Sequence, residues 1–409
     1  MLIENSEVGG TCLNNGCIPT KAYYKSASLL NELKNSKELG IDYTFNFDLK
    51  TAKIRKDNII TTLKEGILFS LKKAGVSLIN GFGKLVNKNT VQANDELFEA
   101  KYIVIATGSK CSVIPGFENF LTSEEILNLE TLPKKMVIIG GGVIGIEMAS
   151  ILSAFGVEIE VVEVMDKIIP MCDSEVSKRL MTYLKKQGVK FHLNSKALQK
   201  VEGGVEIETK GIKETLLCDE VLMSVGRKPN VSNIGLEEVG IIFSKNGIVI
   251  DDLYKTNIDN IYAIGDVTGK NMLAHYATYS GYQVLSDITK QKHNINFNLV
   301  PNCVFSFPEV SWIGMNEDDC KALEIDYEVY KGQFKANGKA ITLNESEGFA
   351  KIIVSDNHII GAVIIGVDAS TLIHEIGLAI YNNMSRNDFL DVIHAHPTLS
   401  EIFTVSLRQ

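Results

Sequence analysis

Before about residue 300 the chain repeats one pattern, a short continuous apolar run that stops at glycine. Strands buried on both faces of a parallel sheet read this way, because none of their positions faces water. Met136-Val-Ile-Ile139 leads into Gly140-Gly-Gly-Val-Ile-Gly145. Ile146–Phe155 then has helical character, Gly156 ends it, and Val157–Val162 forms a second β-rich run closed by Glu163. Strand, tight loop, helix, strand is the order that builds a parallel pair. Three further runs follow the same rule: Tyr102–Ala106 into Thr107-Gly108, Glu220–Val225 into Gly226-Arg227, and Ile261–Ile264 into Gly265-Asp266. Lys21–Lys34 and Ile54–Lys73 predict amphipathic helices.

Beyond about Val300 the texture changes. Val304–Ile313, Gly348–Val354 and His358–Val367 predict antiparallel strands, the last two joined by the turn formers Ser355-Asp356-Asn357. Helical stretches follow at Ala369–Met384 and Thr398–Val405. Residues 300–409 therefore read as a separate α+β domain, reached without a long linker.

Composition narrows the function classes. A chain of 409 residues, 45% of them apolar, has material for several cores rather than one. A net charge of −9 and a pI of about 5.4 argue against nucleic acid or an anionic membrane as the main partner. No apolar run reaches the roughly 18 residues of a membrane span, and Met1–Gly10 has neither the basic start nor the apolar stretch of a leader, so a cytoplasmic setting is expected. The seven cysteines are odd in number and scattered, unlike a secreted disulfide framework. Cys111, Cys172, Cys218, Cys303 and Cys320 read as small buried hydrophobes, whereas Cys12 and Cys17 sit together between glycines.

Four segments carry candidate chemistry. In Gly140-x-Gly142-x-x-Gly145 the first glycine permits a tight turn, the second lets backbone approach a pyrophosphate and the third lets helix pack on strand. The N-terminus of the helix that follows offers N–H donors to the phosphates, and Glu163 can accept from a ribose 2′-hydroxyl, which favours NAD over NADP. A glycine-rich turn of an unrelated α/β domain is the alternative. In Cys12-Leu-Asn-Asn-Gly-Cys17 a regular helix would hold the Cα atoms roughly 7.5 Å or more apart, beyond the about 7 Å a disulfide tolerates. A bridge would need a distorted turn at Asn15-Gly16 and would be strained and labile; two structural thiols remain the other reading, and a metal site lacks a second ligand pair. In His394-Ala-His396-Pro-Thr398-Leu-Ser-Glu401, Pro397 takes His396 out of helix and Thr398-x-x-Glu401 matches a capping box. The functional alternatives are a histidine base oriented by Glu401, or a His394–His396 metal pair with no third ligand nearby. Gly265-Asp266 at a strand end aims a carboxylate at the sheet edge where ligands bind, or simply caps a helix.

In this order the four segments resemble the pyridine nucleotide–disulfide oxidoreductase family over essentially the whole chain. The resemblance implies an α/β fold of FAD-binding and NAD-binding Rossmann-like domains plus a C-terminal α+β dimerisation domain. The divisions it implies are 1–120 for the FAD-binding domain, 121–245 for the NAD-binding domain, 246–299 for the remainder of the FAD or central domain and 300–409 for the interface of a homodimer. It makes Cys12 and Cys17 the redox disulfide, with Cys17 facing the flavin and Cys12 exchanging with substrate. Lys21 would lie by the flavin ring, paired with Glu147. Glu4 would hold the adenosine ribose, with Gly10, Thr11, Gly83, Thr107, Gly108, Asp266 and Met272-Leu273-Ala274-His275 completing the FAD site. Gly140, Gly142, Val143, Ile144, Gly145, Glu147 and Glu163 would hold NAD, bordered by Gly226 and Arg227. His396, held by Glu401, would act on the neighbouring subunit's disulfide.

Within the family, the His394–Glu401 segment resembles enzymes of lipoamide rather than glutathione. That implies oxidation of the dihydrolipoamide of lipoyl domains in a 2-oxo acid dehydrogenase or glycine cleavage complex. A sibling reductase of the glutathione or mercuric type is a rival, as is a remnant that dimerises without binding FAD. Family members carry a strand, a glycine-rich FAD loop and a helix before the ribose acid. Met1-Leu-Ile-Glu4 matches the second strand, so about thirty residues of a βαβ unit are expected to be missing through a misassigned start, truncation or gene decay. The first sheet is expected to keep an unpaired edge.

Overall fold

The structure, a computed structural model, describes residues 1–34, 36–117 and 120–409. Strand β1 (Leu2–Glu4) leads into two consecutive helices, α1 (Gly10–Asn15) and α2 (Cys17–Lys34). They are separated at Gly16, with φ −146° and ψ −112°. A Cβ there would lie 2.9 Å from the Thr11 carbonyl oxygen, so the break between the two cysteines needs a glycine. Helix α3 (Leu49–Lys73), capped by Asp48, packs along α2. Strand β2 (Leu78–Asn80) pairs parallel with β1. An antiparallel meander (Gly83–Asn87, Thr90–Ala93, Glu96–Glu99) precedes β3 (Ile103–Ile105) and β4 (Ser109–Cys111).

The next unit is built on β5 (Lys135–Ile139), α4 (Val143–Ala154), β6 (Glu158–Val162), α5 (Ser174–Lys186), β7 (Lys190–His192) and β8 (Glu220–Met223). Its parallel sheet has the order β7-β6-β5-β8. Met136–Ile139 are all buried because the sheet is covered twice: α4 and α5 lie on one face, and a three-stranded meander spanning residues 195–217 lies on the other. Strand β8 ends at Met223, short of the expected Val225, because Ser224 turns to donate its hydroxyl to the Ile139 and Gly140 carbonyls. Tyr23 and Ala27 of α2 share one core with Ile146 and Ala149 of α4, which brings the cysteine-bearing helix against the glycine-loop helix.

The chain then returns. Strand β9 (Arg227–Pro229) pairs antiparallel with β4, and β10 (Ile261–Ala263) pairs parallel with β3, followed by helix α6 (Ala274–Thr289). Among the described residues, β1 and β3 each have one strand neighbour only, so each keeps an open edge.

Residues from 300 onward form an antiparallel sheet of order β11-β12-β15-β14-β13: β11 (Asn302–Val304), β12 (Glu309–Gly314), β13 (Glu328–Gln333), β14 (Phe349–Ser355) and β15 (His358–Gly366). Helices α7 (Ala369–Tyr381), α8 (Arg386–Leu390) and α9 (Glu401–Leu407) follow. The single strand expected over Val304–Ile313 is two strands. Phe305 donates its N–H to Glu147 and Phe307 donates to the Ser150 hydroxyl, so neither joins a ladder, and Pro308 has no N–H to give. Three cysteines expected to be buried, Cys111, Cys218 and Cys303, are half-buried, while Cys172 and Cys320 are buried.

Period-two alternation assigns the two faces of this sheet. Ala362 and Ile364 pack against α7 and α9, whereas Val363, Ile365, Trp312 and Phe349 join the core that contains Val176 and Leu180 of α5. Lys351, 1% exposed, lies in that second row. Its ammonium meets Asp173 at 3.0 Å, Glu175 at 2.9 Å and Glu317 at 2.6 Å, and Asp173 is also the N-cap of α5. Burial opposes the charge, but the three carboxylates outweigh it and hold the Lys351 amine above the usual lysine range. Removing the cation leaves a buried aspartate without its counter-charge, so Lys351→Ala is expected to cost about 3 kcal/mol. The single tryptophan, Trp312, stands in this sheet, and the urea midpoint followed by its fluorescence should fall accordingly.

Candidate active site

Cys12 in α1 and Cys17 at the start of α2 are free thiols on either side of the Gly16 break. Hydrogen bonding to Cys17, and then burial, pushes the Cys12 thiol far up. Hydrogen bonding to Cys12 lowers Cys17 to about 7, against burial and with help from the nearby Lys21 ammonium. Two thiols one turn apart are thus split by their surroundings into one that ionises easily and one that stays protonated.

Lys21 lies one helical turn along α2 from Cys17. Its ammonium pairs with Glu147 Oε1 and Oε2 at 3.0 and 2.9 Å and sits 4.2 Å from the centroid of the Phe305 ring. Glu147, 5% exposed on α4, also accepts the Phe305 N–H at 3.0 Å. Tyr24, a turn further, donates to Glu309 Oε1 at 3.1 Å and stacks on Phe307. No local spacing marks Phe305, Tyr24 or Glu309 as part of the site: Phe305 lies 158 residues from Glu147, and Glu309 lies 285 from its partner Tyr24.

The glycine loop has the form its residues require. Gly140 has φ +109°, and a Cβ on it would meet Ser224 O at 2.5 Å; a Cβ on Gly145 would meet Gly140 O at 2.0 Å. At Gly142 a Cβ would meet open space, and α4 has no side-chain cap, so the N-terminal N–H groups of this 12-residue helix face an open cradle. Glu163, at the end of β6, accepts from Gly141 N at 2.6 Å and from Met165 N at 2.8 Å. Cradle and acid fit the pyrophosphate and ribose of a dinucleotide.

Glu4 repeats this turn at the end of β1, accepting the Ser6 N–H at 2.9 Å as Glu163 accepts that of Met165. Gly10 opens α1 with φ +61°, next to exposed Thr11, and Gly83 packs against Ile3. Thr107-Gly108 and Gly265-Asp266 follow the paired strands β3 and β10 and so share one sheet edge. Ser109 joins two expected sites: its hydroxyl donates to Asp266 Oδ2 at 2.5 Å and accepts from Arg227 Nε at 2.8 Å. Gly226 has φ +103° beside Arg227. Met272 and Leu273 lead into α6, which begins Ala274-His275, and His275 Nε2 stands 3.0 Å from the Pro301 carbonyl. Glu4 at the end of β1, Asp266 at the shared sheet edge and Lys21 beside Cys17 are the polar groups that would face a flavin dinucleotide, and a glycine loop of the 140–145 kind occurs once in the chain.

At the C-terminus Glu401 serves two groups. One oxygen accepts the Thr398 N–H at 2.8 Å and the other lies 3.0 Å from His396 Nδ1, so capping and histidine orientation coexist. The Thr398 N–H and then His396 hold the Glu401 carboxyl below the usual range. Helix α9 starts at Glu401 rather than Thr398, because the Thr398 hydroxyl turns to the Ala395 carbonyl. His394 faces Glu375 instead, at 2.6 Å, so the two histidines do not converge on one point. Among the described residues no hydrogen bond or ion pair joins His396 to Cys12 or Cys17 of the same chain.

A thiol pair beside a Lys–Glu bridge, a dinucleotide cradle and a separate C-terminal sheet domain define a nucleotide-dependent disulfide oxidoreductase. The chain belongs to the pyridine nucleotide–disulphide oxidoreductase family, whose model matches residues 1–281, with that family's dimerisation domain matching 300–407. The family and its dihydrolipoyl dehydrogenase members use FAD and NAD(H). The chain is 36% identical to the dihydrolipoyl dehydrogenase of Chlamydia muridarum, over 99% of this chain and 90% of that one. It is 38% identical to that of Bacillus subtilis, over 98% and 89%. Among solved structures it resembles LpdA from Mycobacterium tuberculosis, with a TM-score of 0.92, 26% identity and coverage of 99% and 92%. It also resembles the HOCl-induced flavoprotein disulfide reductase RclA of Escherichia coli, with a TM-score of 0.89, 26% identity and coverage of 100% and 93%. Among the described residues no helix is long and apolar enough to cross a membrane.

The thiol asymmetry has a signed consequence. With Cys17 lowered to about 7, its thiolate is present above that pH and is lost as pH falls through it. In the reduced protein, ultraviolet thiolate absorbance should rise with a midpoint near pH 7, vanish in Cys17→Ser and shift to higher pH in Lys21→Met, where the cation is gone.

Proposed function

We propose that this protein is a dihydrolipoyl dehydrogenase, oxidising protein-bound dihydrolipoamide to lipoamide while reducing NAD+. The observation that carries the reading is the pair of free cysteines flanking the Gly16 helix break, with Lys21, one turn beyond Cys17, bridged to Glu147. The full-length similarity to dihydrolipoyl dehydrogenases supports it.

In the oxidised form Cys12 and Cys17 share a disulfide. His396 of the partner subunit takes the proton of a dihydrolipoamide thiol, whose thiolate attacks Cys12 Sγ while Cys17 departs as the thiolate that its surroundings favour. The second substrate thiol then attacks the substrate sulfur of the mixed disulfide, its proton passing to the departing Cys12, so that the lipoamide ring closes and Cys12 is left reduced. Glu401 keeps the imidazole turned for this transfer. Two electrons now reside on the thiol pair, and bound flavin supplies the relay from there to nicotinamide. Lys21 holds positive charge beside Cys17, and Glu147 fixes that lysine. Glu4, Gly10, Thr11, Gly83, Thr107-Gly108, Asp266 and Met272–His275 hold FAD; Gly140–Gly145, Glu163, Gly226 and Arg227 hold NAD.

The domain reading is 1–120 and 246–299 for flavin, 121–245 for NAD and 300–409 for the homodimer interface. The partners are lipoyl domains of a 2-oxo acid dehydrogenase or glycine cleavage complex, and the setting is the cytoplasm, where disulfides are transient and catalytic. The likeness to RclA favours a sibling reductase as second reading.

Purified protein should carry yellow flavin and turn over lipoamide in preference to glutathione. Cys17→Ser should abolish lipoamide turnover; a variant of full activity would refute the mechanism. Glu163→Ala should raise KM for NAD+ by about tenfold with kcat nearly unchanged, since the ribose contact is made equally in ground and transition states.

A further inference from the structure

We propose that His394 and Glu375 form a positioning pair that holds the segment carrying His396 in place, an inference that rests on His396 being the acid/base. Within one chain, Val392 and Ile393 of the loop between α8 and α9 turn outward, 47% and 96% exposed. His394 is its inward side chain, 8% exposed. Its ring lies 5.7 Å from that of Phe389, itself in the core under the sheet. Each ring nitrogen faces an acceptor: Nδ1 is 3.1 Å from the Val392 carbonyl and Nε2 is 2.6 Å from Glu375 Oε1.

Glu375 stands on α7, a helix that buries Leu372, Ile373, Ile376 and Ala379. The contact therefore ties the loop to a helix that the core holds still. A second tie lies just beyond. Asn337, 2% exposed, donates to the Thr398 and Leu399 carbonyls at 3.1 and 3.3 Å. Between these anchors lie Ala395, His396 and Pro397, and His396 projects from them with its side chain 78% exposed. Glu401 turns the His396 ring and, through the Thr398 N–H, holds the chain on the C-terminal side. The pair with His394 fastens the segment on its N-terminal side.

The test uses the flavin-loaded enzyme and two reactions. Lipoamide turnover needs the base, whereas oxidation of NADH by an artificial one-electron acceptor at the flavin does not. His394→Ala and Glu375→Ala are each expected to lower kcat for lipoamide by about tenfold or more while changing the acceptor reaction by less than about twofold, because small misplacements of a reacting group are costly. His394→Gln, which can still donate to Glu375, should recover part of the loss, and the double alanine variant should be no worse than His394→Ala alone. If both reactions fall together, or if lipoamide turnover is unchanged in the two alanine variants while His396→Gln removes it, the pair does not position the base. If His396→Gln itself retains full lipoamide turnover, the reading of His396 fails instead, and the two failures are told apart.

Discussion

The contact on which the site depends is the packing of α2 against α4, with the Lys21–Glu147 pair at its margin. Tyr23 and Ala27 interlock with Ile146 and Ala149, and this fixes the cysteine-bearing helix relative to the glycine loop with the tolerance of a close-packed core. Glu147 is buried and would be costly alone; it is retained because Lys21 and the Phe305 N–H both satisfy it. One carboxylate thus joins three segments: the thiol helix, the nucleotide helix and the strand break that opens the C-terminal domain.

The same economy recurs elsewhere. Ser109 ties the expected flavin carboxylate Asp266 to Arg227, Lys351 ties the N-terminus of α5 to the C-terminal sheet, and Glu401 serves a backbone N–H and a histidine at once. Ser109 and Lys351 find partners from elements far apart in the chain, whereas Glu401 finds both of its own within five residues. Low-dielectric surroundings make such groups expensive when unpaired, so each of them also sets how two elements sit together.

Splitting the thiols is a local achievement by comparison. The glycine break keeps Cys12 and Cys17 within reach, and a single hydrogen bond between them drives their acidities in opposite directions. The asymmetry is what exchange chemistry uses, since the sulfur that leaves should be the one that carries negative charge easily. Among the described residues His396 makes no hydrogen bond or ion pair with this pair in its own chain, in keeping with a reading in which the partner subunit completes the site.

Local chemistry was legible in the residues themselves. Gly140-x-Gly142-x-x-Gly145 with Glu163, the cysteines flanking Gly16 and the His396–Glu401 spacing each rest on turns and helix ends that a few neighbouring residues determine, and most strands and helices followed from apolar runs and their period. What the sequence by itself could not decide was which distant groups meet. Phe305 against Lys21, Glu375 against His394 and the acids around Lys351 have no spacing of their own, and the expected strand at 304–313 broke because Glu147 and Ser150 claimed its N–H groups. Such pairings are set by the burial of whole elements against one another, a property of the tertiary structure that no local pattern encodes.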